Sequence, residues 1–311
     1  MPELYIFTEP QEGATYGELA RLARATEAAG FAGFFRSDHF MTIDREGGLP
    51  GPTDAWVTLA GLAVETERIR LGTLMTSATF RLPGPLAIAV AEVDHISQGR
   101  LDLGIGAGWY AAEHRAYGIP FPDAASRFER LEEQLTILTG LWATPLGATF
   151  SFAGRHYQLE ESPALPKPFQ SPGPPILMGG MGKLRTPALA ARFADEFNCP
   201  FVSLSAAAAQ FEVVREACRV QGRDPEPMRL SAALIVCCGR DQAQVHRRAG
   251  AIGHDLEELA EIGAAGSPDQ VIERIAEYGS LGCDRIYLQF LDPTDLDHLE
   301  LLASEVLPAF A

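Results

Sequence analysis

Short apolar runs alternate with longer amphipathic runs along the whole chain of 311 residues. Eight of the short runs are rich in Leu, Ile, Val and Phe, which is typical of parallel strands buried on both faces. Between them, apolar residues recur three and four positions apart, as in a helix with one face on a core. Eight strand–helix units predict an α/β protein with a (β/α)8 TIM barrel. The predicted strands are 4–8, 33–36, 69–75, 101–105, 175–178, 196–199, 230–238 and 285–288.

Glycine and small polar residues mark the ends of several predicted helices. Gly30 follows one helical pattern and Gly140 is predicted to cap another, because glycine accepts the left-handed conformation of a helix end. Ser267 is placed to cap the start of a third helix. The predicted helices are 16–29, 54–66, 85–97, 126–141, 186–193, 206–220, 241–262, 267–279 and 296–310.

The alternation of strands and helices is interrupted at residues 147–174. Residues 149–157 alternate apolar and polar positions around Ala153-Gly154, which predicts a β-hairpin. Closely spaced prolines follow, so the rest of the segment is expected to be a rigid loop. We interpret the segment as an insertion over the barrel mouth, within a single domain that spans residues 1–311.

A doubly wound open sheet is the alternative fold. Such a sheet is expected to carry a GxGxxG pattern after its first strand, where it binds a dinucleotide. In this chain the closely spaced glycines Gly104, Gly106 and Gly108 follow the fourth predicted strand instead. The position of the glycines therefore favours the barrel.

Composition and charge argue against several classes of protein. No apolar run approaches the ~20 residues of a membrane span, and the first residues lack the order of a signal peptide. The five cysteines show no CxxC spacing, so we expect reduced core residues in a cytoplasmic protein. The net charge of −16 disfavours nucleic acid or an anionic membrane as a partner, and an anionic cofactor would need local positive charge.

Glycines and aromatic residues follow the fourth predicted strand, in Gly104-Ile-Gly-Ala-Gly108-Trp-Tyr110. Ligands bind at the carboxyl ends of barrel strands, and backbone without side chains can approach a flat ring closely. Gly108 is therefore a candidate cofactor contact, and Trp109 and Tyr110 are candidate pocket walls, although Trp109 could also be a core residue. Small residues at 76–79 suit either a bulge behind such a ring or an ordinary barrel interior.

An Asp-His pair, Asp38-His39, closes the second predicted strand. At that position the pair could bind a cofactor ring and exchange a proton with a substrate. The alternative is a loop with a helix-capping Asp and a solvated His. A metal site is not predicted, because the chain has neither HExxH nor a Cys/His cluster.

A glycine-rich turn with basic residues follows the fifth predicted strand, in Gly179-Gly-Met-Gly182-Lys-Leu-Arg185. Free amides at a helix N-terminus beside Lys183 and Arg185 would form an anion site. This turn is the candidate source of the positive charge that an anionic cofactor needs. An ordinary βα turn is the alternative.

Taken together, these segments resemble the bacterial luciferase-like superfamily, and within it the branch that uses the deazaflavin F420. The resemblance covers most of residues 1–200. Each motif alone has low specificity, and the specificity comes from their occurrence together in this order. The motifs are Ser37-Asp-His-Phe40, Ile69-Arg-Leu-Gly-Thr73, Ser97-Gln-Gly-Arg-Leu-Asp-Leu-Gly-Ile-Gly-Ala-Gly-Trp109, Glu113-His-Arg-Ala-Tyr-Gly-Ile-Pro-Phe121, Arg127-Phe-Glu-Arg-Leu-Glu-Glu133 and Gly179-Gly-Met-Gly182.

The resemblance implies a barrel that is usually dimeric, with the cofactor at its C-terminal mouth. It further implies that Asp38 contacts the ring region and that His39 donates or accepts a proton. A non-proline cis peptide bond would fall at Leu74-Met75, behind the ring, with Ser77 close to it. Contacts to the cofactor phosphate are implied for Gly179, Gly180 and Met181, with Arg185 nearby.

The function predicted from the resemblance is F420-dependent hydride transfer between the deazaflavin C5 and a small organic substrate. Phe7, Phe40, Trp109 and Tyr110 are the predicted walls of the substrate pocket. Sugar-phosphate dehydrogenases of this branch have an acidic residue where this chain has Trp109, so a sugar phosphate is not the expected substrate. The alternatives are a luciferase-like monooxygenase that uses FMNH2 and O2, and a barrel that binds F420 or flavin without turnover. The sequence leaves open the substrate and the direction of transfer.

Overall fold

The computed structural model describes residues 1–43 and 48–310, and within them parallel strands form a closed barrel. The strands are β1 (Glu3–Thr8), β2 (Gly33–Arg36), β3 (Arg70–Thr73), β4 (Thr76–Ser77), β5 (Leu101–Gly106), β6 (Phe150–Ala153), β7 (Gln158–Ser162), β8 (Ile176–Gly179), β9 (Glu196–Pro200), β10 (Arg229–Cys238), β11 (Gly263–Gly266) and β12 (Cys283–Gln289). The barrel order is β1–β2–β3–β5–β8–β9–β10–β12, and β12 pairs with β1 to close it. The predicted (β/α)8 barrel is confirmed.

Helices surround the barrel and follow its strands. They are α1 (Tyr16–Ala29), α2 (Ala55–Glu65), α3 (Pro83–Ile96), α4 (Ala111–Ala116), α5 (Ala124–Ala143), α6 (Arg185–Phe193), α7 (Leu204–Val220), α8 (Gln242–Ile252), α9 (Leu256–Ile262), α10 (Pro268–Ser280) and α11 (Leu296–Leu301). No helix in the described ranges is both long enough and apolar enough to cross a bilayer.

Local signals explain where α1 begins and ends. Thr15 and Glu18 form a capping box at its start, since each side chain accepts a hydrogen bond from the other residue's backbone amide. Gly30 ends the helix in the left-handed conformation, as predicted. Gly140 is not the predicted cap, because α5 continues to Ala143. Its lack of a side chain instead makes room for the ring of Phe150 from the inserted hairpin.

The inserted segment forms the predicted hairpin. Strands β6 and β7 pair antiparallel, and the amide of Gly154 donates to the carbonyl of Tyr157 within the turn. The hairpin packs on α5, where Glu133 accepts hydrogen bonds from the amides of residues 155–157. The hairpin is therefore fixed to α5.

The rest of the insertion is held by α3, where Asp94 accepts hydrogen bonds from the amide and the side chain of Gln170. Gln170 also donates to the carbonyl of Leu101 at the start of β5, so this part of the insertion lies at the amino-terminal end of the barrel. The expected position over the barrel mouth is wrong for this part of the insertion.

The third predicted strand is divided in two. It runs as β3 to Thr73, is interrupted by a cis peptide bond between Leu74 and Met75, and resumes as β4. The short strand β4 pairs with the end of β5, which places Ser77 opposite Gly106. The cis bond lies where the family resemblance implies it.

The amino-terminal end of the barrel interior holds a group of interacting polar side chains, called the barrel floor. Arg285 lies 2.9 Å from Asp102 and 2.7 Å from Glu196, and Tyr287 donates to Glu196 at 2.8 Å. Arg70 forms a second ion pair with Asp102. Aromatic and aliphatic side chains fill the barrel above this layer, so the interior is a packed core. The filling residues are Tyr5, Phe7, Phe35, Leu177 and Ala233.

The five cysteines are all buried and unpaired, consistent with the expected reduced core residues. Burial raises the pKa of each thiol, to about 12 for Cys199 and Cys238. A thiol with a raised pKa is a poor nucleophile at neutral pH.

Candidate functional site

A cavity of about 800 Å³ opens at the carboxyl ends of the barrel strands. Its volume lies within the range of small-molecule and cofactor sites. The strand ends and the loops that follow them provide most of the wall, and the α8–α9 segment closes one side. Predicted site residues that line it are Phe7, Asp38, His39, Leu74, Met75, Ser77, Gly108, Trp109, Gly179, Gly180 and Met181.

His39 is fixed by a buried carboxylate that comes from a different element. Its Nδ1 lies 3.1 Å from both carboxylate oxygens of Glu113 on α4, and the side chain of Glu113 is almost fully buried. Glu113 also accepts a hydrogen bond from the amide of Phe40 at 3.0 Å. An imidazole whose Nδ1 donates to a carboxylate keeps Nε2 for another partner. The ring of Trp109 meets the His39 ring edge-on, with centroids 5.8 Å apart.

The charges around His39 change its protonation. Burial by itself lowers the pKa of His39, but the hydrogen bond and charge of Glu113, with the charges of Glu9 and Asp38, raise it above its ordinary value. Burial also raises the pKa of Glu9, against the opposing charge of His39. The side chain of Gln289 donates to Glu9 at 2.8 Å. The cavity therefore contains a carboxyl and an imidazole that both hold protons more tightly than usual.

Asp38 lines the cavity, and its carboxylate is held by protein groups. Arg81 forms an ion pair with it, and the hydroxyl of Thr76 donates to Oδ2 at 3.0 Å. Arg81 also reaches Asp54 at 2.6 Å, which caps α2 by accepting from two backbone amides. The two residues of the predicted Asp-His pair thus have different surroundings. The Asp38 carboxylate is bound by protein groups and anchors the loop, whereas the His39 ring faces the cavity.

Part of the cavity wall consists of backbone. Gly106 and Gly108 at the end of β5, and Gly179 and Gly180 at the end of β8, all line it. Gly180 has a φ of 125° and open space where a Cβ would stand. A Cβ at Gly179 would come within 3.0 Å of the methyl group of Met75, which packs behind this wall. The arrangement leaves part of the cavity wall without side chains, where a ring could approach the backbone closely.

A chain of short hydrogen bonds leads from the cavity into the protein. The hydroxyl oxygens of Ser77 and Thr79 are 2.6 Å apart, and Thr79 Oγ1 lies 2.6 Å from Nε2 of His114. Nδ1 of His114 lies 2.7 Å from the carbonyl oxygen of Tyr110. Gly108 is required beside this chain, because a Cβ there would overlap the hydroxyl of Ser77.

The β8–α6 turn has the features of an anion site. Helix α6 has Leu184 as its N-cap residue and no side-chain cap, which leaves amides of its first turn available to a ligand. Thr186 in that turn lines the cavity, whereas Arg185 is exposed, 5.7 Å above the ring of Phe128. Lys183 Nζ lies 3.4 Å from the side-chain oxygen of Gln210. Both basic side chains lie at the rim of the turn and not in the cavity wall.

Two of the residues predicted to form pocket walls, Phe40 and Tyr110, lie behind the residues that line the cavity. Phe40 packs against the rings of Phe80 and Tyr117, at 4.6 and 5.6 Å between centroids. Tyr110 stacks on Trp109 at 5.2 Å and donates its hydroxyl to a backbone carbonyl at 3.0 Å. Neither residue lines the cavity, whereas Phe7 and Trp109 do.

Several residues with no role predicted from the sequence also lie at the site. Glu9 follows β1 directly, at a strand end where a polar residue signals a site. Glu113 lies within a motif of the family resemblance, but nothing in that motif indicates a partner 74 positions earlier. His254 and Glu258, 2.9 Å apart, come from the second half of the chain, where no motif was found.

No group of three His, Cys, Asp or Glu side chains suited to a metal occurs in residues 1–43 and 48–310.

The chain is similar to named proteins of two cofactor classes. An F420-dependent glucose-6-phosphate dehydrogenase from Microbacterium testaceum is 33% identical over 189 residues, which is 60% of this chain and 52% of that protein. The oxygenase component of a flavin-dependent trigonelline monooxygenase from Acinetobacter baylyi is 32% identical over 164 residues, 52% of this chain and 42% of that protein. The chain thus spans about half the length of the curated relatives it matches.

Solved structures share the fold over the whole chain. An F420-dependent secondary alcohol dehydrogenase in complex with an F420–acetone adduct superposes with a TM-score of 0.86 and covers 100% of both chains, at 18% identity. The sequence profile of the luciferase-like monooxygenases matches residues 5–257, which is most of the chain. The protein therefore belongs to the luciferase-like monooxygenase family.

Proposed function

We propose that this protein is an F420-dependent oxidoreductase that transfers a hydride between the deazaflavin C5 and a small organic substrate. The observation that carries the proposal is His39, whose Nδ1 is held by Glu113 while the ring faces a glycine-walled cavity. The 33% identity with an F420-dependent dehydrogenase supports the choice of cofactor. In this proposal Asp38, Leu74, Met75, Ser77 and Gly108 surround the ring.

The cavity fits such a cofactor in shape and in chemistry. Gly106, Gly179 and Gly180 contribute cavity wall without side chains, so a ring can pack closely against the backbone there. The uncapped first turn of α6, with Lys183 and Arg185 at its rim, supplies donors and positive charge for a phosphate. When bound, the deazaflavin supplies a hydride at C5, a two-electron step that does not require oxygen.

His39 is the residue that we propose to move the proton. Its raised pKa favours the protonated form, which can donate a proton, and the neutral imidazole can accept one. Glu113 orients the ring and stabilises the imidazolium form. Trp109, packed against the His39 ring, shields one side of it from water. His39 therefore needs no large movement to exchange a proton with a substrate in the cavity.

The substrate that we propose is a small uncharged organic molecule and not a sugar phosphate. Glu9 and Glu12 line the cavity, and no Lys or Arg does so in the described part of the chain. One carboxylate oxygen of Glu12 is buried without a hydrogen-bond partner among the described residues. A phosphorylated substrate would meet this negative potential without a compensating cation.

The alternative function is that of a monooxygenase that uses FMNH2 and O2. The 32% identity with a flavin-dependent monooxygenase component favours it, and the same glycine wall and anion site suit FMN. The homodimer and the cytoplasmic location stay predictions from the sequence.

Titration of the purified apo-protein with F420 and with FMN, followed by fluorescence quenching at matched salt, tests the proposal. We expect micromolar or tighter binding of F420 and far weaker binding of FMN. The reverse preference would assign the protein to the oxygen-using monooxygenases, and peroxide release would be measured next.

A paired variant tests the anion site separately. Lys183→Gln/Arg185→Gln should weaken F420 but leave the affinity for deazariboflavin unchanged, because deazariboflavin lacks the anionic, phosphate-bearing tail that is expected to use these charges. Equal losses for both ligands would contradict this role of the turn.

A further inference from the structure

We infer that His114 is a positioning residue that acts through Thr79 to fix the Ser77 hydroxyl as a hydrogen-bond acceptor toward the cavity. None of these three side chains is needed for the proton transfer proposed for His39. The inference rests on the proposed function only for the identity of the ligand, which is a deazaflavin or a flavin.

The direction is fixed at the inner end of the chain. A backbone carbonyl can only accept, so Nδ1 of His114 donates its proton to the carbonyl of Tyr110 at 2.7 Å. An uncharged imidazole has only that one ring proton, which leaves Nε2 as an acceptor. The hydroxyl of Thr79, 2.6 Å away, must then donate to Nε2.

The direction of the hydrogen bond between Thr79 and His114 also fixes the direction of the next hydrogen bond, on the side of the cavity. Since the Thr79 proton points at His114, the 2.6 Å contact between the two hydroxyls requires Ser77 to donate to Thr79. The amide of Thr79 also donates weakly to Ser77 Oγ, at 3.4 Å. Ser77 therefore directs its only proton inward, and a lone pair remains on the side of the cavity that it lines.

The surroundings hold His114 in this orientation. Its ring is 1% exposed and packs between Phe80 and Phe121, with centroids 5.1 and 4.4 Å away. Phe121 in turn lies under the guanidinium of Arg127, which donates to the carbonyl of Gly108 at 3.3 Å. The hydrogen-bond chain is thus enclosed by aromatic rings and by the glycine backbone that forms the cavity wall.

The consequence is a preference for a particular ligand chemistry. An N–H or O–H group placed against Ser77 finds an acceptor, whereas a carbonyl or carboxylate oxygen there meets a lone pair. Deazaflavin and flavin rings both carry N–H groups, and both have hydroxylated side chains. Ser77 therefore favours a ligand that places a hydrogen-bond donor against its hydroxyl oxygen. His114 maintains this preference by fixing the direction of the hydrogen bonds through Thr79.

Binding measurements on four proteins test the inference: wild type, His114→Phe, Ser77→Ala and the Ser77→Ala/His114→Phe double variant. Phenylalanine keeps the aromatic packing but removes the acceptor of the Thr79 proton. The Thr79 hydroxyl can then donate to Ser77 instead, which reverses the direction of the hydrogen bonds. We expect His114→Phe to weaken F420 binding about tenfold at a pH of about 8, where histidines are ordinarily uncharged. Without the Ser77 hydroxyl, the same substitution should change the affinity by less than about twofold.

A loss of similar size in the Ser77→Ala background would overturn the inference, because it would show that His114 acts through packing. Unchanged affinity of His114→Phe would overturn it as well. Thr79→Val, a nearly isosteric change, repeats the comparison if His114→Phe does not fold, with an expected loss of about fivefold that Thr79→Ser restores.

The proposed function can fail separately from this inference. If the wild type prefers FMN, the cofactor assignment fails, and the same four titrations with FMN decide the role of His114. A wild type that binds neither ligand contradicts both. Normal wild-type binding of F420 with no coupling between positions 77 and 114 contradicts the inference alone.

Discussion

The barrel floor and the barrel mouth both bury charged side chains, but they differ in what these charges face. The floor pairs its charges with one another, although Nε of Arg285 has no hydrogen-bond partner among the described residues, whereas the mouth turns polar atoms toward an open cavity. In the floor, Arg285 pairs with Asp102 and Glu196 within 2.9 Å, and these side chains are almost completely buried. At the mouth, His39 is paired through one nitrogen only, and an oxygen of Glu12 has no partner among the described residues. The first region is built to remain closed, whereas the second keeps polar atoms available for a ligand.

The same strands supply both regions, which shows how little sequence separates them. Side chains of a strand alternate between its two faces, so every second residue points into the barrel. Along β1 the series Tyr5, Phe7 and Glu9 leads from the filled interior to the cavity wall. Along β12, Arg285 belongs to the floor, and Gln289, four residues later, lines the cavity. Position along the strand therefore decides whether an inward polar residue stabilises the fold or serves the site.

Removing the central cation of the floor is expected to have the largest effect. Arg285→Met should lower the free energy of unfolding by about 3–5 kcal/mol, because Glu196 would remain buried without its cation. Urea denaturation measures the loss. Arg240→Met, which removes an exposed ion pair with Glu305, is the matched control and should cost less than about 1 kcal/mol. Equal losses for the two variants would contradict the difference drawn between floor and surface.

The corresponding change at the mouth should affect turnover and not folding. His39→Ala is expected to reduce kcat at least about 100-fold, because no other side chain replaces its proton transfer. The affinity for F420 should change little, and the free energy of unfolding should stay within about 1 kcal/mol, since water can enter the cavity beside Glu113. Rapid kinetics with reduced F420, together with urea denaturation, measure these quantities. An unchanged kcat would disprove the role assigned to His39.

A smaller change sharpens the comparison by altering charge alone. Glu113→Gln should lower the pKa of His39, because the carboxylate raises it in the wild type. The limb of the pH–rate profile that depends on His39 should then move to lower pH. A limb that stays in place would show that another group governs it.

The same substitution has a consequence for stability. A histidine whose pKa is raised by folding stabilises the folded state fully below its unfolded pKa of about 6.5, and this contribution disappears as the pH rises through the raised value. Glu113→Gln should therefore be less stable than the wild type at pH values below about 6.5, and the difference should shrink at alkaline pH. Unfolding measured at both ends of this range checks the sign.

Most of the fold could be predicted from the sequence because the apolar pattern repeats so regularly. The eight barrel strands and the exact span of α1 were found in this way. Strand β11, Gly263–Gly266, was missed, since a run of glycine and alanine becomes a strand only through its pairing with β10. The short helix α4 was also missed, because it does not change the apolar pattern. The cis bond that divides β3 from β4 has no signal in the apolar pattern either and was expected only from the family resemblance.

The site was predictable only where its residues are close in sequence. Asp38-His39 and the glycines of β5 and β8 stand at strand ends, which is a local signal. The carboxylate that orients His39 comes from a helix far along the chain, and the arginine that holds Asp38 lies 43 positions away. Such partners are set by how the βα loops meet above the barrel, which no local pattern records.

The exposure of Trp109 gives the protein a built-in optical probe of its own cavity. Of the three tryptophans in the chain, Trp56 and Trp142 are 4% and 6% exposed, whereas Trp109 is 61% exposed at the cavity wall. A soluble collisional quencher therefore reaches one indole of the three, and a ligand in the cavity covers that same indole. The tryptophan fluorescence of the unlabelled protein thus has two components. Trp56 and Trp142 in the core give a constant component, and the component from Trp109 reports whether a ligand fills the mouth.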